Sequence, residues 1–304
     1  MSLGDMSVRL ALAQWRIGEP GDFAAFAARV RVELAHAAQH GAALAVLPEY
    51  LSLELAAVFE PGVRDDFVRS LAALQTLYDD WLALFADVSR DTGLHILAGT
   101  FLVRQDNGRY RNRAWLFAPD GRRVFQDKLS LTGFERASGV IEAGDALKTF
   151  DTPFGRLGIA ICYDSEFPLY ARAQCEAGAR LLLVPSCTDT EAGATRVRVG
   201  CMARALENQV YVAQSVTAGD ARWSPALDVN TGAAALYAPS DRGLPADGVV
   251  ARAEPGPTWL IAEIEPARLA AVRQTGQVAN AADWDDQLKP NVRAAIVENL
   301  KRTD

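Results

Sequence analysis

Short apolar runs punctuate this chain, and each gives way abruptly to polar residues instead of growing into a long hydrophobic segment. Ala42–Leu47, Leu94–Gly99, Leu157–Ile161 and Arg180–Val184 have the length and composition of buried strands. Val8–Gln14 reads as a first strand, and Arg113–Phe117, Val210–Val216, Ala233–Tyr237 and Thr258–Ile264 add further ones. Between them lie helical stretches. Asp22–His40 spaces Phe23, Phe26, Val30 and Leu34 on one face and stops at Gly41; Asp65–Asp91 stops at Gly93, and Leu169–Ala177 at Gly178. Thr195–Asn208 is a fourth. Strands alternating with helices imply an α/β layered fold.

The tail 278–304 is polar and mixed, with a helical piece expected over Val292–Leu300. No repeat, low-complexity tract or Pro/Gly-rich linker splits the chain. Residues 1–304 therefore read as one domain, with a core over about 8–264 and a C-terminal tail, 265–304, that is a candidate for a dimer interface. A chain of 304 residues can bury a substantial core. Its net charge of −7, with no long basic block, argues against a nucleic-acid partner. No apolar run is long enough to span a membrane, and Met1–Met6 lacks a secretion signal, so a cytoplasmic location is expected. The four cysteines, Cys162, Cys175, Cys187 and Cys201, form no C-x-x-C pair and have no histidine among them. That pattern argues against zinc and suits a reducing compartment.

The most informative stretch is Gly155–Pro168, where a buried strand ends at Cys162, an acid-bearing turn follows, and Pro168 opens a helix. A cysteine there is held by a rigid element, and nearby helix amides can favour a thiolate or an oxyanion. A nucleophilic cysteine also needs a base. His36 and His40 read as a solvated helix face and His95 as a strand residue, so a Cys/His dyad is poorly supported. Glu49 follows Leu-Pro at the end of a buried strand, where partial burial would raise its pKa toward a useful value. Lys128 closes another strand and could supply positive charge to a thiolate or an oxyanion. Glu49, Lys128 and Cys162 all lie just beyond apolar runs, where ligands bind in such folds.

With these residues in place, the chain resembles the nitrilase (carbon–nitrogen hydrolase) superfamily. The matching pieces are Leu47-Pro-Glu49, Asp127-Lys128-Leu-Ser-Leu131 and Gly158-Ile-Ala-Ile-Cys162-Tyr-Asp164 before Phe167-Pro168. Gly99-Thr100, Arg111-Asn112-Arg113-Ala114 and Arg204-Ala-Leu-Glu-Asn208 support them. The resemblance implies a four-layer αββα sandwich, usually paired as a homodimer or larger homo-oligomer, and a Glu49–Lys128–Cys162 triad. It implies no metal and no organic cofactor. Tyr163 would lend its backbone N–H to the oxyanion, and a second pocket glutamate would orient substrate. Glu135 is the better match for that glutamate and Glu142 the lesser. Glu166 and Cys187 are further candidates for the pocket wall. The segments Tyr50–Phe59, Thr188–Ala194 and Trp223–Pro225 read as pocket loops.

The expected reaction is hydrolysis of a small carboxamide to acid and ammonia through a thioester. A nitrile or an N-carbamoyl amino acid is the alternative substrate. The carbamoyl acid would need a cationic clamp, for which Arg196, Arg198 and Arg222 are candidates. A catalytically silent dimeric scaffold is the competing class, and an altered triad residue would have favoured it.

Overall fold

The computed structural model describes residues 7–298. In chain order the strands and helices are β1 (Val8–Arg16), α1 (Phe23–Gln39), β2 (Leu44–Leu47), α2 (Pro61–Arg64), α3 (Phe67–Leu74), α4 (Tyr78–Thr92), β3 (His95–Arg104), β4 (Tyr110–Phe117) and β5 (Arg123–Asp127). There follow α5 (Gly133–Ser138), β6 (Thr149–Thr152), β7 (Gly155–Ile159), α6 (Pro168–Glu176), β8 (Leu181–Ser186), α7 (Glu191–Asn208) and β9 (Tyr211–Asp220). The chain closes with β10 (Val229–Asn230), β11 (Ala235–Tyr237), β12 (Val249–Arg252), β13 (Trp259–Ile264) and α8 (Pro266–Thr275).

Strand order is β5-β4-β3-β2-β1-β9-β8-β7-β6. On each side the inner pairings are parallel and the outer ones antiparallel. β1 divides its pairing. Its first part faces β13 antiparallel, and its last residues, Gln14–Arg16, pair parallel with β9. The two halves thereby join at one strand end and fold over each other.

Strand periodicity assigns the faces. Leu10, Leu12, Leu44, Val46 and Leu97 enter a core shared with Leu157, Ile159 and Leu181 of the opposite half. Their neighbours Ala11, Ala13, Ala45, Leu47, Ile96 and Ala98 point the other way, onto Phe26, Val30 and Leu34 of α1 and Trp81, Phe85 and Val88 of α4. Beyond the second sheet, Val197, Cys201 and Ala205 of α7 close the opposite side. The layers run helix, sheet, sheet, helix, as the αββα expectation requires. β2 and β8 are buried along their whole length because both faces are covered, which is why they read as continuous apolar runs. Burying one Leu or Phe side chain contributes about 1.5–3 kcal/mol, so the layered interior dominates the stability.

Several local expectations need correction. The stretch Asp65–Asp91 is not one helix. Asp66 caps α3 by accepting from the Arg69 N–H at 3.0 Å, and the Gln75 amide bonds to the β3 backbone at Leu102 O and the Arg104 N–H. That anchor breaks the run before α4. Tyr50–Phe59 is mostly not a loop: Leu51–Val58 is a 3-10 helix whose residues Leu51 to Ala56 are buried. The segment 265–304 opens with α8, whose Leu269 and Val272 are buried and whose Arg273 bonds to the Asn208 and Gln209 carbonyls. No helix covers residues 293–298; a 3-10 turn at Pro290–Val292 ends first, and Leu300 lies outside the described residues. The expectation for Met1–Met6 also lies outside them. Among the described residues no helix is long and apolar enough to cross a membrane, and no His/Cys/Asp/Glu group could hold a metal ion.

Candidate active site

Four strands release the chain at their carboxyl ends toward one place: β2 before Glu49, β5 before Lys128, β7 before Cys162 and β8 before Cys187. The turn after β2 is tightly held. Gly99 sits at φ +66°, and a Cβ there would fall 2.1 Å from the Pro48 carbonyl oxygen. Only glycine lets β3 approach so closely. Its neighbour Thr100 accepts the Tyr50 N–H at 2.8 Å, and Tyr50 takes φ +61°. Glu49 is thus fixed between a glycine contact and a hydrogen-bonded left-handed residue.

Lys128 Nζ lies 2.8 Å from Glu49 Oε1 and 2.8 Å from Glu135 Oε2, and all three side chains are essentially inaccessible to solvent. Asn112 on β4 donates through Nδ2 to Glu49 at 2.8 Å and to Glu135 at 3.2 Å. Glu135 is the third residue of α5 and forms a capping box with Thr132. It also accepts the Tyr50 hydroxyl at 2.7 Å. The Cys187 N–H donates to Glu49 Oε2 at 3.1 Å. Asp164 accepts the Leu129 and Ser130 N–H groups, which pins the backbone after Lys128 to the turn after Cys162. Burial pushes the Asp164 carboxyl up to about 7 despite Lys128 and these donors.

Two acids share one lysine, so their protonation separates. Burial raises the Glu49 pKa and the Glu135 charge raises it further, while Lys128 and the Cys162 thiol pull it down less strongly. Burial also works against ionised Glu135, but Lys128, the Thr132 N–H and the Tyr50 hydroxyl outweigh it and hold that carboxyl below its ordinary value. For Lys128, burial disfavours the cation, and the flanking carboxylates overcome it and hold the ammonium well above its usual pKa. The arrangement sets one lysine between two carboxyl groups whose pKa values are pushed apart, Glu49 upward and Glu135 downward.

Cys162 opens a 3-10 turn, Cys162–Glu166, at φ +47°, a backbone region costly for a side-chain-bearing residue. Its thiol is buried and donates to the Cys187 carbonyl at 3.6 Å. Burial and the Glu49 charge push its pKa well above the ordinary thiol value, against Lys128. The burial that raises the thiol pKa opposes the helix amides and Lys128, so a base within reach of Cys162 is needed to draw off its proton.

A cavity of about 280 Å³ opens onto Glu49, Lys128, Cys162 and Cys187, with Tyr163 and Glu166 also on its wall. Glu135 stands behind Lys128. Glu142 is elsewhere, paired with Arg111 at 2.9 Å. Of the three arginines considered, Arg196 reaches the cavity; Arg222 pairs with Asp220, and Arg198 is not on the wall. Tyr50, Pro225 and, from the segment Thr188–Ala194, Thr188, Asp189 and Gly193 contribute wall, whereas the buried body of Leu51–Val58 does not. Sequence reasoning assigned no role to Asn112 or Asp164, and gave Tyr50 only a place in a pocket loop. For Asn112 a signal existed: in β4 it shares the buried phase of Tyr110 and Ala114, an odd place for an amide without polar partners.

The family model described as carbon-nitrogen hydrolase matches residues 9–274. A probable hydrolase of Bacillus subtilis, YhcX, is 32% identical over 277 residues, covering 91% of this chain and 53% of that protein. This chain thus spans about half the length of that relative. Omega-amidase NIT2-A of Xenopus laevis is 30% identical over 246 residues, or 78% of this chain and 82% of its own. The crystal structure of Saccharomyces cerevisiae Nit3, a member of branch 10 of the nitrilase superfamily, superimposes with a TM-score of 0.72 at 21% identity, covering 90% of this chain and 96% of that one. With a family match across nearly all of the described residues and the same fold in a solved relative, the chain belongs to the carbon-nitrogen hydrolase family.

Proposed function

We propose that this protein hydrolyses a small carboxamide to a carboxylic acid and ammonia, with Cys162 as nucleophile, Glu49 as general base and acid, and Lys128 as electrostatic stabiliser. The carrying observation is the buried contact of Lys128 with both Glu49 and Glu135 beside Cys162 at the floor of a cavity.

Burial holds the Cys162 pKa above the ordinary thiol value, which favours proton transfer in step with attack. Glu49 takes the thiol proton as sulfur bonds to the amide carbon, and the carbonyl π electrons move onto oxygen. Lys128 and the Tyr163 N–H stabilise that oxyanion. The C–N bond then breaks, with the proton held by Glu49 passing to nitrogen, and ammonia leaves a thioester on Cys162. A water deprotonated by Glu49 attacks the thioester, and the acid departs as the proton returns to sulfur. A Glu49 pKa above the ordinary value suits both halves of this cycle, since the group must accept and release a proton in turn. Glu135 keeps its charge and holds Lys128 in place. The relative named an omega-amidase supports the amide reading.

Ammonia release from a panel of small amides, nitriles and N-carbamoyl acids, with Cys162→Ala in parallel, tests the proposal. Release from amides that disappears in the variant is expected. Activity confined to nitriles or carbamoyl acids would replace the substrate class. Silence across the panel, with no thioester trapped on Cys162 by mass spectrometry, would favour a scaffold.

A further inference from the structure

The cavity wall carries charges that the chemistry above does not use. Glu166 and Arg196 face each other across it with Arg196 Nε 3.6 Å from Glu166 Oε1, so these two largely cancel. Asp189 and Asp228 also line it, and among the described residues neither forms an ion pair. They come from different loops, yet the loops are stitched together. The Thr231 N–H donates to Thr188 O at 2.8 Å, the Thr188 hydroxyl to Thr231 O at 3.0 Å, and the Thr231 hydroxyl to Thr190 O at 3.0 Å. The Asp228 carbonyl is tied to the Ala221 N–H at 3.0 Å. Two carboxylates outside any ion pair, both on solvent-exposed residues, are thus carried on a cross-braced stretch of the cavity wall.

A helix N-terminus favours anions, and α7 begins beside this wall. That end is already occupied: Thr190 Oγ1 caps the Gly193 N–H at 3.0 Å, and Glu191 occupies the first turn. A substrate carboxylate would therefore have to win Arg196 from Glu166 while facing Asp189 and Asp228. A cleft lined by one sign of charge concentrates ligands of the opposite sign.

Resting on the amidase reading, we propose that the cavity selects amides whose far end carries a positive charge, an alkylammonium or a guanidinium, with Asp189 and Asp228 as the specificity-determining residues. The cavity lies just under the usual range for small-molecule sites, about 300–1,000 Å³, so the substrate is a short aliphatic amide. N-carbamoyl amino acids and ω-amido acids, which present a carboxylate, are disfavoured by the same charges.

The test compares kcat/KM for 4-aminobutanamide, pentanamide and succinamate, which are similar in length and differ in terminal charge. The cationic amide is expected to exceed the neutral one by about tenfold, with the anionic one slowest. The cationic-to-neutral ratio should fall toward unity in Asp189→Asn/Asp228→Asn. In the unmodified protein it should also fall as salt is raised, which keeps the test valid if the double variant does not fold. Hydrolysis of pentanamide with succinamate equal or faster would overturn the charge selection alone, as would a ratio indifferent to salt. Failure to hydrolyse any of the three, with nitriles turned over, would overturn the amidase reading and this inference together.

Discussion

Two charged networks sit back to back on β4, and their contrast favours one of them for the proposed chemistry. Adjacent residues feed them: Asn112 turns inward to Glu49 and Glu135, and Arg111 turns outward to Glu142 at 2.9 Å and Asp145 at 3.1 Å. Both networks contain a glutamate that follows Lys128 in sequence. In the outer one, hydrogen bonds from Asn107 and Arg111 lower the Glu142 pKa, and its charge is permanently satisfied in contact with water. In the inner one, water is excluded and one ammonium serves two carboxylates. Burial makes the inner network costly and responsive, whereas solvent makes the outer one inexpensive and inert.

Breaking the inner network at its reactive end should have the largest effect. Glu49→Gln keeps the shape and removes the proposed base, and kcat/KM for amide hydrolysis is expected to fall by about 10²–10⁴; Glu142→Gln should leave it unchanged. Next comes stability. Lys128→Met leaves two buried carboxylates facing each other and should cost about 3–5 kcal/mol in chemical denaturation. Arg111→Met on the outer network should cost below about 1 kcal/mol. Equal losses from the two would erase the distinction.

A smaller effect is expected from Tyr50→Phe, which removes one donor to Glu135 and should cost about 1–3 kcal/mol. The finest contrast is in pH dependence. In the proposed cycle Glu49 must be ionised to accept the thiol proton, so kcat/KM should fall as pH drops through its pKa, which burial and Glu135 hold above the ordinary glutamate value. Removing the neighbouring charge with Glu135→Gln should move that acid limb to lower pH in whatever activity remains. Glu142→Gln should not move it.

Much of this was legible in the chain because Glu49, Lys128 and Cys162 each close a strand, and a strand end leaves a local mark. Cys187 was visible for the same reason. Glu135 was readable as a second glutamate, but choosing it over Glu142 rested on resemblance; the Thr132-x-x-Glu135 capping-box pattern stood in the sequence and was passed over, and the reach of Lys128 becomes visible only in three dimensions. Asn112, Tyr50 and Asp164 matter through convergence of distant segments. Asn112 is 63 positions from Glu49, and Tyr50 is 85 from Glu135. Spacing within one segment cannot report such contacts. The break between α3 and α4 was missed likewise, because the Gln75 amide is held by β3, a partner outside the helical window. The helix α8 escaped notice for its weak apolar pattern; its stability comes from burying Leu269 and Val272.

The most direct measurement is intact-protein and peptide mass spectrometry on enzyme acid-quenched during turnover of a small amide. A mass increase equal to the acyl group, confined to the peptide carrying Cys162 and absent from Cys162→Ala, is expected. Turnover that persists in Cys162→Ala, or an acyl group found on Cys187 instead, would contradict the assignment of Cys162 as the nucleophile.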